Sequence, residues 1–583
     1  MLQYNQSGEI TVQMKSERDI YVQMRDGVKV AVDIFRPDDA KGRFPALLAM
    51  SPYGKGVQSL KMPTQPPGTP LYLPPIEAGN PEYLVANGYA HIIADTRGTG
   101  KSEGEYLGWI SKEEARDGYD LIEWIAKQPW CDGNVGMVGI SYFGTVQLMI
   151  AAEQPPHLKA IMPWNAVADF YRETTHHGGI MQTFLLYLYH TRLARRNYAS
   201  VAEREFGSAK FRQKIEALKD DSDYAMYPEL YNMIDNPTIS PNLLDVLIYE
   251  NDGPFYWERS ATTKYEKIKV PFYARSGWWA FAHMHLYGAF WNFNSINAPK
   301  KLQIDKPMVE DRPLNDEFNK EVIRWYDYWL KGKDTGIMKE APISIFVRGK
   351  NEWRNESEWP LSRTKWIKAH LRTRGILQME PPIIPGRNLT YESDDSIGLF
   401  DVFAQQPLSE TPVVQSLEYK TLPLSNDLEL TGPMAFYFHA SIDKSDTNWI
   451  ISFRDYLDEN CEVELSKGFL KASHRALDEK KSKPWEPYHP HLKAEPVAPD
   501  QIIEYAISMA PISNVFKAGH RLKLVISNMD HAFSRDWKIA PPTIGLSHYP
   551  WHVGIRKTVV HRIYHDSEHP SYLLLPSVPR SSL

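Results

Sequence analysis

Short apolar runs and stretches of helical period alternate along the first half of the chain. Phe44-Pro45-Ala46-Leu47-Leu48-Ala49-Met50 and Ala90-His91-Ile92-Ile93-Ala94 are almost continuously apolar and stop at Ser51-Pro52 and at Asp95. Runs of this length without alternation read as parallel strands buried on both faces. Over residues 113–128, Leu121, Ile122 and Ile125 share one helical face, and Pro129 closes the helix. Residues 135–140 and 158–162 predict two further strands, and residues 270–274 and 301–304 the last two of the series. Strand–helix alternation of this kind predicts a doubly wound α/β sheet.

Residues from about 170 to 258 interrupt the alternation with helices rich in aromatics and methionine, among them Phe184, Leu185, Tyr187, Tyr189, Met226, Tyr227 and Tyr231. An insertion there would roof the carboxyl edge of the sheet, where such folds bind ligands. A packing subdomain without substrate contact is the alternative. After a helix over residues 316–330 the pattern changes again. Met434-Ala435-Phe436-Tyr437-Phe438-His439-Ala440 and Arg521-Leu522-Lys523-Leu524-Val525-Ile526 alternate or run apolar between turn residues. Short strands broken by Pro, Gly and Asp predict a β-sandwich of jelly-roll type.

Length and composition narrow the classes. A chain of 583 residues is too long for one core, so two or three domains are expected. The net charge of −6, with both signs interleaved, leaves no basic stripe for nucleic acid. No apolar run reaches the ~18 residues of a membrane span. Met1-Leu2-Gln3-Tyr4-Asn5-Gln6 lacks a charged-then-apolar signal region, and Cys131 and Cys461 lie too far apart in sequence to suggest a disulfide framework. The expectation is a cytoplasmic protein with a small-molecule substrate and neither a nucleic-acid nor a membrane partner. Seventeen tryptophans and 32 tyrosines would suit aromatic clefts or the interface of a homodimer. Neither cofactor nor metal is expected. Gly98-Thr99-Gly100 lacks the next glycine and helix start of a dinucleotide site, and His489 and His491 in their stiff loop are not expected to bind metal without other ligands nearby.

The clearest chemistry lies in Asn134-Val135-Gly136-Met137-Val138-Gly139-Ile140-Ser141-Tyr142-Phe143-Gly144. An apolar strand runs into a serine, and a helix-like stretch follows. This layout lifts the hydroxyl to the carboxyl end of a sheet on a tight turn, where it can attack a bound carbonyl.

Five segments in order resemble the cocaine esterase / X-prolyl dipeptidyl-peptidase family of α/β-hydrolases. They are Met24-Arg25-Asp26-Gly27-Val28 with Asp33-Ile34-Phe35-Arg36-Pro37, then Ser51-Pro52-Tyr53-Gly54-Lys55, and Asp95-Thr96-Arg97-Gly98-Thr99-Gly100-Lys101-Ser102-Glu103-Gly104. Gly139-Ile140-Ser141-Tyr142-Phe143-Gly144 is similar to the family's G-x-S-Y-x-G, and Phe516-Lys517-Ala518-Gly519-His520-Arg521-Leu522 to its C-terminal domain. The resemblance implies an α/β-hydrolase core over residues 1–168 and 261–345, a helical cap over 169–260 and a jelly roll over 346–583. It further implies Ser141 as nucleophile, with the Tyr53 hydroxyl and the Tyr142 backbone N–H as the oxyanion hole.

The chain departs from the family at two places. Where the family has Gly-Trp-Tyr-Asp, this chain has Gly277-Trp278-Trp279-Ala280, and alanine cannot orient an imidazole. The family's histidine follows the next strand; residues 304–313 contain none, and Val309 stands in its slot. Three readings follow. In a rebuilt relay, His283 or His285 supplies the base, with Glu310 and Asp311 near the vacated slot; His283 would need its Nε2 within ~3 Å of Ser141 Oγ. His177 is a further candidate, as base or as substrate contact. In the second reading the oxyanion site promotes a non-hydrolytic carbonyl reaction. There Trp278, Trp279, Ala280 and His177 would bind a bulky, largely apolar molecule. The third is a binding protein on a hydrolase scaffold.

Overall fold

The computed structural model describes residues 13–60, 76–182, 196–221, 223–224, 227–278, 284–307, 316–380, 399–407, 410–411, 413–530 and 552–579. Its first half is built on a ten-stranded sheet. In chain order the strands before the insertion are β1 (Met14–Gln23), β2 (Lys29–Pro37), β3 (Phe44–Ser51), β4 (Ala90–Asp95), β5 (Cys131–Met137) and β6 (Leu158–Ile161). A small separate hairpin, β7 (His176–His177) and β8 (Ile180–Met181), opens the insertion. The sheet resumes with β9 (Phe272–Gly277), β10 (Lys300–Asp305), β11 (Ile343–Val347) and β12 (Glu352–Glu356).

The spatial order is β1-β2-β4-β3-β5-β6-β9-β10-β11-β12. Pairing is parallel from β4 through β11 and antiparallel at both ends. The order turns back at β3, so the crevice for a ligand opens at the carboxyl ends of β3 and β5. Both expected elements end there: β3 runs into Ser51-Pro52-Tyr53, and β5 into the serine segment. The strand over residues 301–304 is not the last of the sheet, as its pattern suggested. β11 and β12 extend the sheet past residue 345, to Glu356. β12 is a polar edge strand with Trp353 exposed, so no apolar run announces it.

Helix Asp316–Lys331 covers the sheet with Phe318, Val322, Trp325, Tyr326 and Leu330 buried. The insertion has an apolar core of its own. Helices Ser208–Lys219, Pro228–Asp235 and Pro241–Ile248 surround Phe211, Ile215, Leu230, Leu243 and Leu247, and Val553 joins them from the C-terminal part of the chain. Phe184, Leu185, Tyr187, Tyr189 and Met226 lie outside the described residues; Tyr227 is buried and Tyr231 exposed.

The expected C-terminal β-domain is present, with eleven strands among the described residues joined in one sheet. Leu428–Ile442 pairs antiparallel with Ile503–Phe516 on one side and with Tyr572–Ser577 on another, which closes the circuit. Closure leaves fewer backbone groups at free edges. The domain encloses a separate core around Phe436, Phe438, Trp449, Phe453 and Phe516. No helix among the described residues is long and apolar enough to cross a membrane.

Candidate active site

Ser141 sits between β5 and the helix Tyr142–Ala152 with φ 61° and ψ −114°. This conformation is rare for a side chain with a Cβ and is the strained turn that projects a nucleophile out of the sheet edge. The surrounding backbone holds the turn in place. Ser141 N–H donates to the Trp164 carbonyl at 2.9 Å, and the Ser141 carbonyl accepts from Thr145 N–H at 2.8 Å. The Thr145 hydroxyl in turn accepts from Val167 N–H at 2.9 Å. Gly144 is required by this contact, because a Cβ there would stand 2.4 Å from the Trp164 carbonyl oxygen.

Tyr53 lies beside the turn, its ring edge-on to those of Tyr142 (centroids 5.6 Å apart) and Phe143 (6.2 Å). Its loop is tied down by Asp95 at the end of β4, whose buried carboxylate accepts from Lys55 N–H at 2.6 Å and Lys101 N–H at 2.9 Å. The Tyr142 N–H belongs to the first turn of its helix, where backbone donors have no intrahelical acceptor and the dipole favours negative charge.

The Tyr142 side chain points away from the serine and anchors the turn from below. Its hydroxyl donates to Glu114 Oε2 at 2.7 Å and accepts from Ile110 N–H at 3.2 Å. Glu114 also accepts from the Thr96 hydroxyl at 3.2 Å. Burial pushes the Glu114 carboxyl up to about 8, against these hydrogen bonds. Glu114 escaped the sequence reading for a physical reason. Ser111-Lys112-Glu113-Glu114 has the form of a capping box, and Ser111 does cap Glu114 N–H at 3.3 Å, but the carboxylate serves the tyrosine.

His285 Nε2 stands 3.3 Å from Ser141 Oγ. The imidazole is buried, and burial pushes its pKa down to about 3, so it is neutral near neutral pH. Its backbone carbonyl accepts from the Ser276 hydroxyl at 2.9 Å, which fixes the segment against the end of β9. Of the two histidines that the sequence pattern offered as bases, His285 is placed in contact with the serine, and His283, named for a ~3 Å contact, is not described. Trp279, Ala280, His283, Val309, Glu310 and Asp311 lie outside the described residues.

Two expected substrate contacts are placed elsewhere. Trp278 is only 2% exposed; its indole N–H donates to the Phe346 carbonyl at 2.6 Å, and its ring packs near Phe290 and Trp359. It braces the end of β9 against β11. His177 is buried with both ring nitrogens engaged, Nε2 with the Glu173 carbonyl and Nδ1 with His552 Nε2, each at 3.0 Å. His552 continues to Asp530, so His177 fastens the insertion to the C-terminal part of the chain and is not available to a substrate.

A serine on a strained turn, a histidine in contact with its hydroxyl and a tyrosine beside the turn are brought together at this sheet edge. Residues 26–309 match the X-Pro dipeptidyl-peptidase (S15) family, and residues 335–574 match the X-Pro dipeptidyl-peptidase C-terminal non-catalytic domain. The chain belongs to the X-Pro dipeptidyl-peptidase and cocaine esterase family. Cocaine esterase of a Rhodococcus species is 27% identical over 610 residues, covering 96% of this chain and 98% of the relative. In fold, the family member CocE/NonD hydrolase from Staphylococcus aureus superposes with a TM-score of 0.74 at 24% identity, over 97% of this chain and 94% of its own. An α-amino acid ester hydrolase gives a TM-score of 0.69 at 19% identity, over 97% and 96%. As a member of the X-Pro dipeptidyl-peptidase and cocaine esterase family, the chain is a serine-hydrolase-like enzyme. The S15 match spans Tyr53, Ser141 and His285 alike.

Proposed function

We propose that the protein is a serine esterase in which Ser141 is the nucleophile and His285 the general base. The observation that carries this reading is the 3.3 Å contact between Ser141 Oγ and His285 Nε2 on a strained turn. Attack transfers the serine proton to His285 Nε2 and forms the Ser141 Oγ–carbon bond. Collapse of the tetrahedral intermediate returns that proton to the leaving alcohol, and water then repeats the sequence on the acyl-enzyme. The Tyr53 hydroxyl and the Tyr142 N–H stabilise the oxyanion. The expected substrate carries a bulky, largely apolar acyl or alcohol group. Likeness to a cocaine esterase supports the same substrate class.

The reading is tested by hydrolysis of p-nitrophenyl esters of increasing size and by labelling with a fluorophosphonate. Turnover together with a label on Ser141 is expected; absence of both defeats it. Tyr53→Phe should lower kcat by roughly 10²–10³-fold while leaving KM nearly unchanged, because the lost donor acts on charge that develops only in the transition state. An unchanged kcat in that variant would remove Tyr53 from the oxyanion hole.

A further inference from the structure

We propose that Glu173 is a positioning residue that holds the His285 imidazole in register with Ser141. The inference rests on the reading of Ser141 and His285 as nucleophile and base. Glu173 lies in a single π-helical turn, Tyr171–Thr175, with its side chain wholly buried. Such turns interrupt regular helical bonding and are frequent at functional sites. Its carboxylate accepts three backbone hydrogen bonds. Oε2 takes Ala168 N–H at 2.6 Å and Asp169 N–H at 2.9 Å, and Oε1 takes Gly288 N–H at 2.6 Å.

These three donors belong to the two frames that must meet for the chemistry. Ala168 and Asp169 continue the segment that follows β6, and this segment is bound to the serine turn through Ser141 N–H to the Trp164 carbonyl and Val167 N–H to the Thr145 hydroxyl. Gly288 lies in the first turn of helix Tyr287–Ser295, three residues after His285. The residue at the cap of that helix is Leu286, which has no side-chain acceptor to offer its N-terminal donors. Glu173 supplies that acceptor from another part of the chain. Gly288 is glycine because the approach is so close. A Cβ there would stand 2.9 Å from Glu173 Oε1 and 2.6 Å from the Ala166 carbonyl oxygen.

His285 is therefore bracketed by two ties. The Ser276 hydroxyl holds its carbonyl, and Glu173 holds the N–H three residues on. A cap at residue 286 would stabilise the helix equally well, but it would not couple the helix to the serine frame. Glu173 does both, and burial raises its pKa to about 8 even though three N–H groups favour the ionised form.

The test is a double-mutant cycle of Glu173→Gln and His285→Ala on the full chain, read by p-nitrophenyl ester turnover and by the rate of fluorophosphonate labelling at Ser141. Glutamine keeps the size but has one oxygen, so an amide N–H must oppose at least one backbone N–H. Glu173→Gln is expected to lower kcat and the labelling rate by roughly 10–100-fold, the cost of a misplaced catalytic group, with KM nearly unchanged. In the His285→Ala background the same substitution should produce no further loss. An equal loss in both backgrounds, or no loss in the parent enzyme, overturns the inference while leaving the base assignment standing. An unchanged rate in His285→Ala alone defeats the base assignment and this inference with it. If Glu173→Gln does not accumulate as folded protein, Gly288→Ala, whose Cβ displaces the same carboxylate, takes its place in the cycle.

Discussion

Replacement of Ser141 by alanine should abolish fluorophosphonate labelling and lower ester turnover by roughly 10⁴-fold or more, the scale seen when a catalytic serine is removed. The substitution is unusually clean at this position. Ser141 occupies φ 61°, and alanine carries the same Cβ, so the backbone strain of the turn is unchanged. The bonds that fix the turn, Ser141 N–H to Trp164 and Thr145 N–H to Ser141, are main-chain bonds and survive. The loss therefore reports the hydroxyl and not the fold, and thermal stability should stay close to that of the parent. Ser141→Gly would separate the two further. It also lacks the oxygen but relieves the positive φ, so it should match alanine in activity and exceed it in flexibility of the turn. Turnover that survives in both variants would move the chemistry away from the serine and toward a reaction that needs only an oxyanion site.

The parts of this site that were legible in the sequence are those fixed by local pattern. Buried parallel strands that end at Ser51-Pro52 and Asp95 place Tyr53 and the Asp95 loop at one sheet edge, and the glycine spacing around Ser141 specifies the turn. Glu114 and Glu173 were not legible, because what makes each important is burial against residues far away in sequence. Glu114 reads locally as a capping-box residue, and nothing near Glu173 in sequence suggests Gly288 as its partner. The partners of Trp278 and His177 were not legible for the converse reason. A tryptophan or histidine next to a site in sequence points inward as readily as toward a cleft, and here the acceptors that decided the matter were the Phe346 carbonyl and His552. The choice between His283 and His285 had no periodic signal to settle it, since that segment follows no strand or helix repeat.

His285→Ala should lower kcat by roughly 10²–10⁴-fold, the range of a positioned general base, and the pH profile of the parent enzyme should show why. The imidazole works as base only when neutral. Burial lowers its pKa to about 3, so the acid limb of kcat/KM should lie near pH 3 and not near the ordinary histidine value of about 6.5. Activity should stay flat from pH 7 down to about 5. The same burial makes His285 a weak base, so under the proposed mechanism proton transfer would depend on oxyanion stabilisation by Tyr53 and the Tyr142 N–H, and His285→Ala and Tyr53→Phe should be strongly non-additive. The fold titrates with the opposite consequence. His285 binds a proton in the unfolded chain below pH 6.5 but in the native state only near pH 3, so its contribution to stability is lost as pH falls through that window, by about 1.4 kcal/mol per pH unit. His91, His177 and His561, each also pushed down to about 3, act in the same direction. Rates below pH 5 must therefore be taken in brief assays, before acid unfolding intervenes. In His285→Ala the dependence of thermal stability on pH between 6.5 and 4 should become shallower by one histidine's share. A parent acid limb near pH 6.5, with unchanged acid stability in the variant, would mean that an exposed group and not this buried imidazole takes the serine proton.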